Sequence, residues 1–425
     1  MTDPAPSLLL AGGKVLTPDG LEHLNLVVAD GLVVALGSEL VADVTLDCSG
    51  SWVGPGFVDL HTHLREPGEE HKENMESGAA AAAAGGYTAV LAMPNTSPAI
   101  DGPELVNALL VRARQIAAVE IRISGAVTAG RGGTELADLE GMLAAGVRWF
   151  TDDGDTISTA GLLRRALLLL KEEGGVISEH AEDPSLTAGA IMHEGEVSRL
   201  LGVKGMPAVA ETLIISRDLA LAAETGGAVH IQHVSTAGAV DLIANAKAGG
   251  IRVTAEATPH HLTFDHTDLK AGDPRFKMKP PLRTAADVEA VRAGVTEGVI
   301  DIVATDHAPH TPAETEAAGL EVGAFGVIGL ETAAAAVNSA LGLAADDFFD
   351  RMSVAPARLG GFSGHGLPVA VGQPANLVVF DPAAEWIPSR FRSRSRNSPF
   401  LGRPLRGRVR ATVHGGKLTH RLEVS

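Results

Sequence analysis

The sequence contains a single cysteine, Cys48, among its 425 residues. An intrachain disulfide is therefore impossible, and the cytoplasm is the expected compartment. Long hydrophobic runs are also missing, because no stretch reaches the roughly 18 consecutive apolar residues that a membrane-spanning helix needs. The run Leu8–Leu10 is too short for a secretory signal, and no basic segment precedes it. We therefore expect a protein without disulfides and without a membrane span.

Positive charge is scarce as well. Lys and Arg total 34 against 52 Asp and Glu, which gives a formal net charge of −18. This balance argues against a general nucleic-acid binder and against a binder of anionic membranes. Eight arginines do cluster between Arg390 and Arg410. No aromatic interleaving or binding fold accompanies them, so a solvated surface or a subunit contact is the favoured interpretation.

Hydrophobic residues make up 45% of the chain, which is ample for a core. From residue 57 onward, short apolar runs alternate with longer segments rich in Ala, Leu, Glu and Arg, a pattern typical of repeated βα units. The predicted strands are Phe57–His63, Thr88–Met93, Ile121–Val127, Val147–Thr151, Val176–His180, Val229–Val234, Ile251–Ala255 and Ile300–Thr305. The predicted helices between them include Pro103–Ala118, Gly161–Glu173, Ala237–Ala248 and Ala285–Glu297. Eight such strands predict a closed (β/α)8 barrel, and an open doubly wound sheet is the alternative.

The two ends of the chain have a different pattern. Leu8–Leu46 and the C-terminal runs Leu377–Phe380 and Val409–Val413 are short β-type segments, separated near the N-terminus by turns. We expect both termini to form one small β-sandwich domain. The predicted division is residues 1–53 and 361–425 for that domain and 54–360 for the barrel. Within the barrel, the segment Glu182–Gly227 is long enough to hold an extra element that covers the site.

Ionisable side chains stand at the ends of the predicted barrel strands, where the chemistry of such a barrel takes place. Four imidazoles and two carboxylates converging there have the ligand chemistry of one or two divalent cations, with zinc the usual occupant. Each residue alone could be a hydrogen-bonded structural group or a helix cap. Burying so many ionisable groups together without a cation would cost too much free energy for a stable protein. The ionisable strand-end residues among which these six ligands would be found are His61, His63, Asp152, Asp153, Glu179, His180, His230, His233, Asp306 and His307.

The first strand shows the pattern most clearly, in the segment GPGFVDLHTHLREPG at 54–68. Alternate residues of an extended strand share one face, so His61, His63 and Arg65 should point together. Two imidazoles and a guanidinium on one face need partners. We expect metal ligands to be followed there by a group that binds an anion.

Motifs along essentially the whole chain resemble those of bacterial dihydroorotases of the amidohydrolase superfamily. The pair HLREPG and MPN separates that family from hydantoinases and allantoinases, which share the metal ligands. The resemblance implies a zinc-dependent, reversible cyclisation of N-carbamoyl-L-aspartate to dihydroorotate and water, the third step of pyrimidine biosynthesis. The motifs are HTHLREPGEEHKE (61–73), MPNTSP (93–98), FTDDG (150–154), EHAED (179–183), HVSTAG (233–238), TPHHL (258–262), PPLR (280–283), DHAPH (306–310) and GLET (329–332).

The resemblance also implies a set of six metal ligands. They are His61, His63 and Asp306 for one zinc ion, His180 and His233 for a second, and Asp153 as the bridge. Asp153 is chosen over Asp152 by motif alignment. Many relatives bridge with a carboxylated lysine, but no lysine stands at the end of the fourth strand here. Asp306 is expected to act as general base and then as general acid.

Seven residues are expected to bind substrate: His63, Arg65, Asn95, Lys279, His310, Phe325 and Gly326. Arg65 offers a planar fork that matches a carboxylate, and a structural ion pair with Glu66 or Asp59 is the alternative for it. Lys279 departs from the family pattern, because an asparagine usually precedes PPLR. We expect Lys279 to replace the missing asparagine contact.

Two other functions compete with this interpretation. One is another cyclic amidohydrolase, such as a hydantoinase, dihydropyrimidinase or allantoinase, and the other is a non-catalytic scaffold. The expected partner is a small-molecule substrate, with no nucleic acid and no membrane. A homo-oligomer and a contact with aspartate carbamoyltransferase are further expectations, and the sequence leaves the number of bound metals open.

Overall fold

A computed structural model describes residues 6–116 and 118–422. Its strands are β1 (Leu8–Ala11), β2 (Lys14–Thr17), β3 (Gly20–His23), β4 (Asn25–Ala29), β5 (Leu32–Gly37), β6 (Val44–Asp47), β7 (Trp52–Pro55), β8 (Phe57–Thr62), β9 (Tyr87–Ala92), β10 (Glu120–Ile123), β11 (Trp149–Phe150), β12 (Val176–Glu179), β13 (Met192–His193), β14 (Gly205–Met206), β15 (Ala228–Ile231), β16 (Val253–Ala257), β17 (Ile302–Val303), β18 (Leu377–Trp386), β19 (Leu405–His414) and β20 (Lys417–Arg421).

The α-helices lie mostly between the strands of the barrel. They are α1 (Met75–Ala84), α2 (Pro103–Ala113), α3 (Leu139–Ala144), α4 (Ala160–Leu170), α5 (Pro184–Thr187), α6 (Glu196–Leu201), α7 (Val209–Thr225), α8 (Ala237–Ala248), α9 (Ala285–Glu297), α10 (Gly319–Val322), α11 (Ala333–Leu341), α12 (Ala345–Phe349) and α13 (Ala355–Leu359). Short 3₁₀ turns span Ala129–Arg131, His266–Ala271 and Pro274–Phe276, and a π turn spans Asp350–Val354. Within the described ranges, no helix is long and apolar enough to cross a membrane.

Both termini contribute to the small domain. One sheet has the order β5-β4-β1-β6, and the other has the order β20-β19-β18-β7-β2-β3. The second sheet joins the two ends of the chain, because β18 pairs antiparallel with β7. Leu10 and Leu26 of one sheet share a buried cluster with Val15, Val53 and Val379 of the other. The small β-sandwich predicted from both termini is confirmed.

The eight predicted barrel strands all form and follow one another around a closed ring. Parallel ladders join β8 to β10 in one group and β11, β12, β15, β16 and β17 in another. Two isolated parallel bridges, Gly125 with Phe150 and Thr62 with His307, close the gaps between the groups. The (β/α)8 barrel is confirmed, and the open doubly wound sheet is wrong.

The helices cover the barrel with apolar faces. In α4 the buried residues Leu163, Ala166, Leu167 and Leu170 recur at helical spacing. The predicted bounds of α8 and α9 are confirmed. The predicted helix Pro103–Ala118 ends early, at Ala113, because the chain must turn there to enter β10; Ala117 lies outside the described residues.

The segment between β12 and β15 holds the predicted extra element. It contains α5, a two-stranded parallel sheet of β13 and β14, and α6 before the long helix α7 begins. Residues of its first part, including Thr187 and Ile191, line a cavity of about 440 Å³ that adjoins the barrel mouth. The division of the chain at 53/54 and 360/361 stays a prediction, and residues 1–5 and 423–425 of it lie outside the described ranges.

Candidate metal centre and substrate pocket

Three residues that follow barrel strands have left-handed backbone conformations. Their φ angles are 60° at Arg65, 33° at His233 and 45° at Asp306. Such angles are uncommon for residues other than glycine and store strain, which is often found at functional sites. All three side chains line one cavity of about 310 Å³ at the barrel mouth. The strained turns therefore place these side chains in a common pocket.

Two histidines of the first barrel strand face two carboxylates. Nε2 of His61 lies 3.4 Å from Oδ1 of Asp153 and 3.5 Å from Oδ1 of Asp306. Nε2 of His63 lies 3.3 Å from the other oxygen of Asp153 and 3.0 Å from Oδ1 of Asp306. All four side chains are buried. The residues expected to hold the first cation thus meet at one point.

The other two histidines also lie close to Asp153. Nδ1 of His180 lies 3.5 Å from Oδ1 of Asp153, and Nε2 of His233 lies 3.8 Å from the same oxygen. The two ring nitrogens are 2.9 Å apart. Asp153 is therefore close to both pairs of histidines, as a bridging carboxylate must be.

Asp152 is turned away from this cluster. Its Oδ1 accepts hydrogen bonds from the backbone N–H groups of Val127 at 2.9 Å and Thr128 at 3.0 Å. The hydroxyl of Thr128 donates to its other oxygen. Both oxygens are thus occupied in fixing a loop, which favours Asp153 as the bridge.

The donor set fits a divalent cation. Ligand atoms of three groups lie within 4.8 Å of one another: His61, His233 and Asp306; His61, His63 and Asp153; Asp153, His180 and His233. Within residues 6–116 and 118–422, the buried Nε2 of His61 has no hydrogen-bond partner. A buried polar atom without a partner is costly unless something else binds it. Imidazole nitrogens and carboxylate oxygens are the ligands that zinc and similar ions take.

A buried glutamate beneath the cluster orients its deepest histidine. Oε1 of Glu256 lies 2.5 Å from Nδ1 of His61, and its Oε2 lies 3.1 Å from Nε2 of His230. Burial would raise the pKa of Glu256, but His61 and His230 lower it to about 2. This contact holds Nε2 of His61 toward the cluster, as carboxylates do behind histidines that bind metals.

Arg65 occupies the outer part of the cavity and is only 8% exposed. Its Nε donates to the carbonyl of Pro309 at 3.2 Å, and one terminal nitrogen lies 3.2 Å from Nε2 of His310. The nearest carboxylate among the described residues, Glu69, is 4.0 Å away. The guanidinium is therefore buried beside the cluster without a close carboxylate partner.

The proposed structural ion pairs of Arg65 do not form. Glu66 accepts instead from Nε of Arg112 at 3.2 Å and from the backbone of Met75 at 2.9 Å. Asp59 accepts from the backbone and hydroxyl of Thr305. Both alternatives for Arg65 are wrong in the described structure.

Asn95 connects the metal cluster to the substrate side. Its Oδ1 lies 2.8 Å from Nδ1 of His63, and its Nδ2 donates to the carbonyl and to Oδ2 of Asp153, both at 3.2 Å. One amide thereby fixes the ring of one expected ligand and the carboxylate of another.

His310 and Phe325 line the same cavity as Asn95. Nε2 of His310 lies 2.9 Å from the carbonyl oxygen of Phe325. Burial, and next the neighbouring Arg65, lower the pKa of His310 to about 3. This imidazole is therefore neutral near pH 7. It does not add a charge beside the guanidinium.

Lys279 lies at the boundary between this cavity and the adjoining one. Its Nζ donates to Oε1 of Glu182 at 2.8 Å and lies 5.1 Å from the ring centre of Phe325. The other oxygen of Glu182 is 3.8 Å from Nε2 of His180. The charge of Lys279 is thus shared with a carboxylate of the protein itself.

Comparison with known proteins places these residues in a family. A model of "Dihydro-orotase-like" proteins matches residues 50–239. A dihydroorotase of Leifsonia xyli subsp. xyli is 47% identical over 407 residues, which cover 93% of this chain and 92% of the relative. One of Mycobacterium leprae is 43% identical and covers 99% of both chains. The chain belongs to the dihydroorotase family.

Solved structures of related enzymes share the fold of this dihydroorotase. An L-hydantoinase (dihydropyrimidinase) from Arthrobacter aurescens superposes with a TM-score of 0.86 at 25% identity, covering 98% of this chain and 96% of the other. A dihydropyrimidinase from Brevibacillus agri gives 0.84 at 25% identity over 98% and 95%. The hydantoinase-like alternative is therefore a related family with the same architecture, and the predicted class of cyclic amide hydrolase is confirmed by the dihydroorotase relatives.

The dihydroorotase pocket contains every residue that the sequence predicted to contact substrate. Its lining includes His63, Arg65, Asn95, Lys279, His310, Phe325 and Gly326. The sequence did not single out Glu256 or Glu182. Glu256 could have been found from its position, because it is an acidic residue within the apolar strand β16. Glu182 lies within the EHAED motif, but no role was predicted for it. The His and Asp clusters fit metal binding in this family.

Proposed function

We propose that this chain catalyses the reversible conversion of N-carbamoyl-L-aspartate to dihydroorotate and water, the third step of pyrimidine biosynthesis. The observation that carries the choice of substrate is the buried guanidinium of Arg65, which lies in the same cavity as the metal cluster. A substrate with a carboxylate outside its ring would satisfy this charge. A neutral cyclic imide would leave it with no carboxylate closer than Glu69, at 4.0 Å.

We further propose two zinc ions per chain. The proposed ligands are His61, His63, Asp153, His180, His233 and Asp306. Bound there, the cations would polarise the scissile carbonyl and lower the pKa of a water molecule. The four histidines and Asp153 hold this site in place, and Glu256 fixes the orientation of His61.

Asp306 is the proposed proton carrier. In the hydrolytic direction its carboxylate accepts a proton from the attacking water and delivers that proton to the ring nitrogen as the C–N bond breaks. In the biosynthetic direction the same carboxylate takes the proton from the ureido nitrogen as the C–N bond forms, and it delivers that proton to the carboxyl oxygen that leaves as water when the C–O bond breaks. Oδ1 of Asp306 lies 3.0 Å from Nε2 of His63, which keeps the carboxylate facing the pocket.

The substrate carboxylate is proposed to bind between Arg65, Asn95 and His310. Arg65 supplies the charge. Nδ2 of Asn95 directs both of its hydrogens at Asp153, and one of them would turn to the substrate carboxylate on binding. Lys279 and the backbone around Phe325 and Gly326 would complete the pocket.

Turnover of dihydroorotate, with metal content measured on the same sample, tests the proposal. N-carbamoyl-L-aspartate has two carboxylates and dihydroorotate has one, so ring closure consumes a proton and acid should favour the cyclic form. The equilibrium ratio should therefore move between about pH 6 and pH 8. A catalytically inactive scaffold would show no turnover, and it is disfavoured because all six proposed ligands are present.

The cytoplasmic location, the homo-oligomer and the contact with aspartate carbamoyltransferase stay predictions. Size measurement in solution, alone and with the transcarbamoylase, would test the last two.

A further inference from the structure

A segment of the C-terminal region, residues 392–398, lies between β18 and β19 of the small domain and contacts loops at the mouth of the barrel. Its side chains alternate: Arg392, Arg394 and Arg396 are exposed, whereas Ser393 and Ser395 are buried. Alternation of this kind is typical of an extended segment with one face against the protein. The inward face of the segment therefore contacts the loops that build the pocket.

The first half of the segment is anchored to the loop that follows Arg65. The hydroxyl of Ser393 donates to the buried carboxylate of Glu73, and the hydroxyl of Ser395 donates to the carbonyl of Lys72 at 2.9 Å. These contacts join positions 320 or more residues apart in the chain. They fix the segment relative to the first barrel strand.

The second half ends in Asn397, which is 2% exposed. Its Nδ2 donates to the carbonyl oxygens of Ala308 and Gly326, both at 2.9 Å. Its Oδ1 accepts from the backbone N–H of His310 at 3.2 Å. Its own carbonyl accepts from the backbone N–H of Ile328 at 3.0 Å. One side-chain amide thus binds two loops, 306–311 and 323–328, at the wall of the pocket.

These two loops carry the proposed carboxylate site. Pro309 accepts from Nε of Arg65, and Nε2 of His310 lies between Arg65 and the carbonyl of Phe325. We infer that Asn397 is a positioning residue for substrate: it holds both loops so that Arg65 and His310 meet the substrate carboxylate. The inference rests on the proposed function for the identity of that substrate, and Asn397 itself does not line the pocket.

Asn397→Asp is the sharpest test, because it changes the side chain least in shape. The variant keeps an acceptor for the N–H of His310, but it replaces the donor with an oxygen that faces the carbonyls of Ala308 and Gly326. Two buried carbonyls then lose their partner and meet a negative charge. We expect KM for dihydroorotate to rise at least about tenfold, with kcat changed less than about threefold, since binding rather than chemistry is affected.

Ser398→Ala is the matched control. Ser398 is adjacent and fully buried, and its hydroxyl accepts from the backbone N–H of Phe400, two residues further along the chain, rather than from either pocket loop. Its KM should stay within about twofold of the wild type. If Asn397→Asp and Ser398→Ala changed kcat and KM to the same extent, the segment would only support the fold. That result would overturn the inference.

Hydrogen–deuterium exchange gives a readout that does not need the reaction. In Asn397→Asp, amides of 306–311 and 323–328 should exchange at least about tenfold faster, whereas Ser398→Ala should leave them unchanged. If the Asp variant does not fold, Asn397→Ser, whose hydroxyl can donate to only one carbonyl, should show smaller changes in the same direction. Unchanged exchange and KM in a folded variant would refute the positioning role.

A double-mutant cycle separates action through His310 from general damage. In a His310→Ala background, the rise in KM caused by Asn397→Asp should be at least about threefold smaller than the rise in the wild-type background. The reason is that the side chain positioned by Asn397 is then absent. An undiminished effect would contradict the inference. If the wild-type protein did not turn over dihydroorotate, the proposed function would fail, and hydrogen exchange alone would decide whether Asn397 holds the loops.

Discussion

Lys279 donates a hydrogen bond of 2.8 Å to Oε1 of Glu182, a residue 97 positions earlier in the chain. The opposite oxygen of Glu182 lies 3.8 Å from Nε2 of His180, on the side of the ring that faces away from the metal cluster. Because Glu182 already pairs with Lys279, the ammonium group of Lys279 is not a free cation available to the substrate. The contact places Lys279 between the substrate pocket and a proposed metal ligand.

Lys279→Asn should change KM for dihydroorotate by less than about tenfold. Asparagine is the residue that dihydroorotases usually have before PPLR, and its amide can donate to substrate or to Glu182. Steady-state kinetics in both reaction directions measures the effect, with the exposed Lys270→Asn as control. A much larger loss would mean that Lys279 has a role that the family pattern does not predict.

Removal of metal should abolish activity. Protein dialysed against a chelator is expected to be inactive, and zinc should restore turnover, because four imidazoles and two carboxylates converge in the pocket. Metal analysis of the active protein should return about two ions per chain. Normal turnover by metal-free protein would show that the cluster has been misinterpreted.

Asp306→Ala should reduce kcat by about 10³-fold or more while the protein remains folded. The substitution removes a proposed ligand together with the proposed proton carrier, and a general acid or base alone contributes roughly 10²- to 10⁴-fold. Circular dichroism and a thermal melt check the fold. If most activity remained, another group would have to carry the proton.

Stability should fall in mild acid because of His420 on β20. Burial, and then the charges of Arg392 and Arg408, lower the pKa of His420 to about 4, below the ~6.5 of an unfolded chain. Between these two pKa values, His420 is therefore protonated in the unfolded state but neutral in the folded state. The contribution of His420 is full above about pH 6.5 and is lost progressively as the pH falls toward 4.

His420→Gln removes this titration. The free energy of unfolding, from urea denaturation at about pH 7 and pH 5, should fall less in the variant than in the wild type, by on the order of 1 kcal/mol. Effects of acid on the metal cluster occur in both proteins and cancel in the difference. Identical pH dependence in the two proteins would rule out the assigned shift.

The sequence predicted the barrel well because its strands are continuous apolar runs. It predicted the strand-end residues His61, His180 and Asp306 because a barrel brings the carboxyl ends of its strands to one mouth. It did not reveal the residues that act through tertiary contacts. Glu256 meets His61 across 195 positions, and Asn397 meets His310 across 87. No local sequence pattern encodes such a pairing. The role of a polar residue in an apolar strand, such as Glu256, or in an arginine-rich segment, such as Asn397, can therefore be recognised only from the fold.

Arg65→Met should distinguish a substrate with a carboxylate from a neutral one. If its guanidinium pairs with the substrate carboxylate in the buried pocket, Arg65→Met strands that carboxylate, and truncating one partner of such a pair typically costs about 2–5 kcal/mol. This corresponds to a loss of roughly 30- to 5,000-fold in kcat/KM for dihydroorotate. Dihydrouracil has no carboxylate, so any slow hydrolysis of it should be nearly unaffected or improved.

The comparison of two substrates on one variant cancels damage to folding or to metal loading. Arg112→Met is the matched control, because Arg112 holds Glu66 in the loop just after Arg65 but lies outside the cavity lining. That control should affect both substrates equally and weakly. Equal losses on both substrates in Arg65→Met itself would show that Arg65 is structural. The pocket would then lack its carboxylate anchor, and a neutral ring of the kind opened by hydantoinases would fit it better than dihydroorotate.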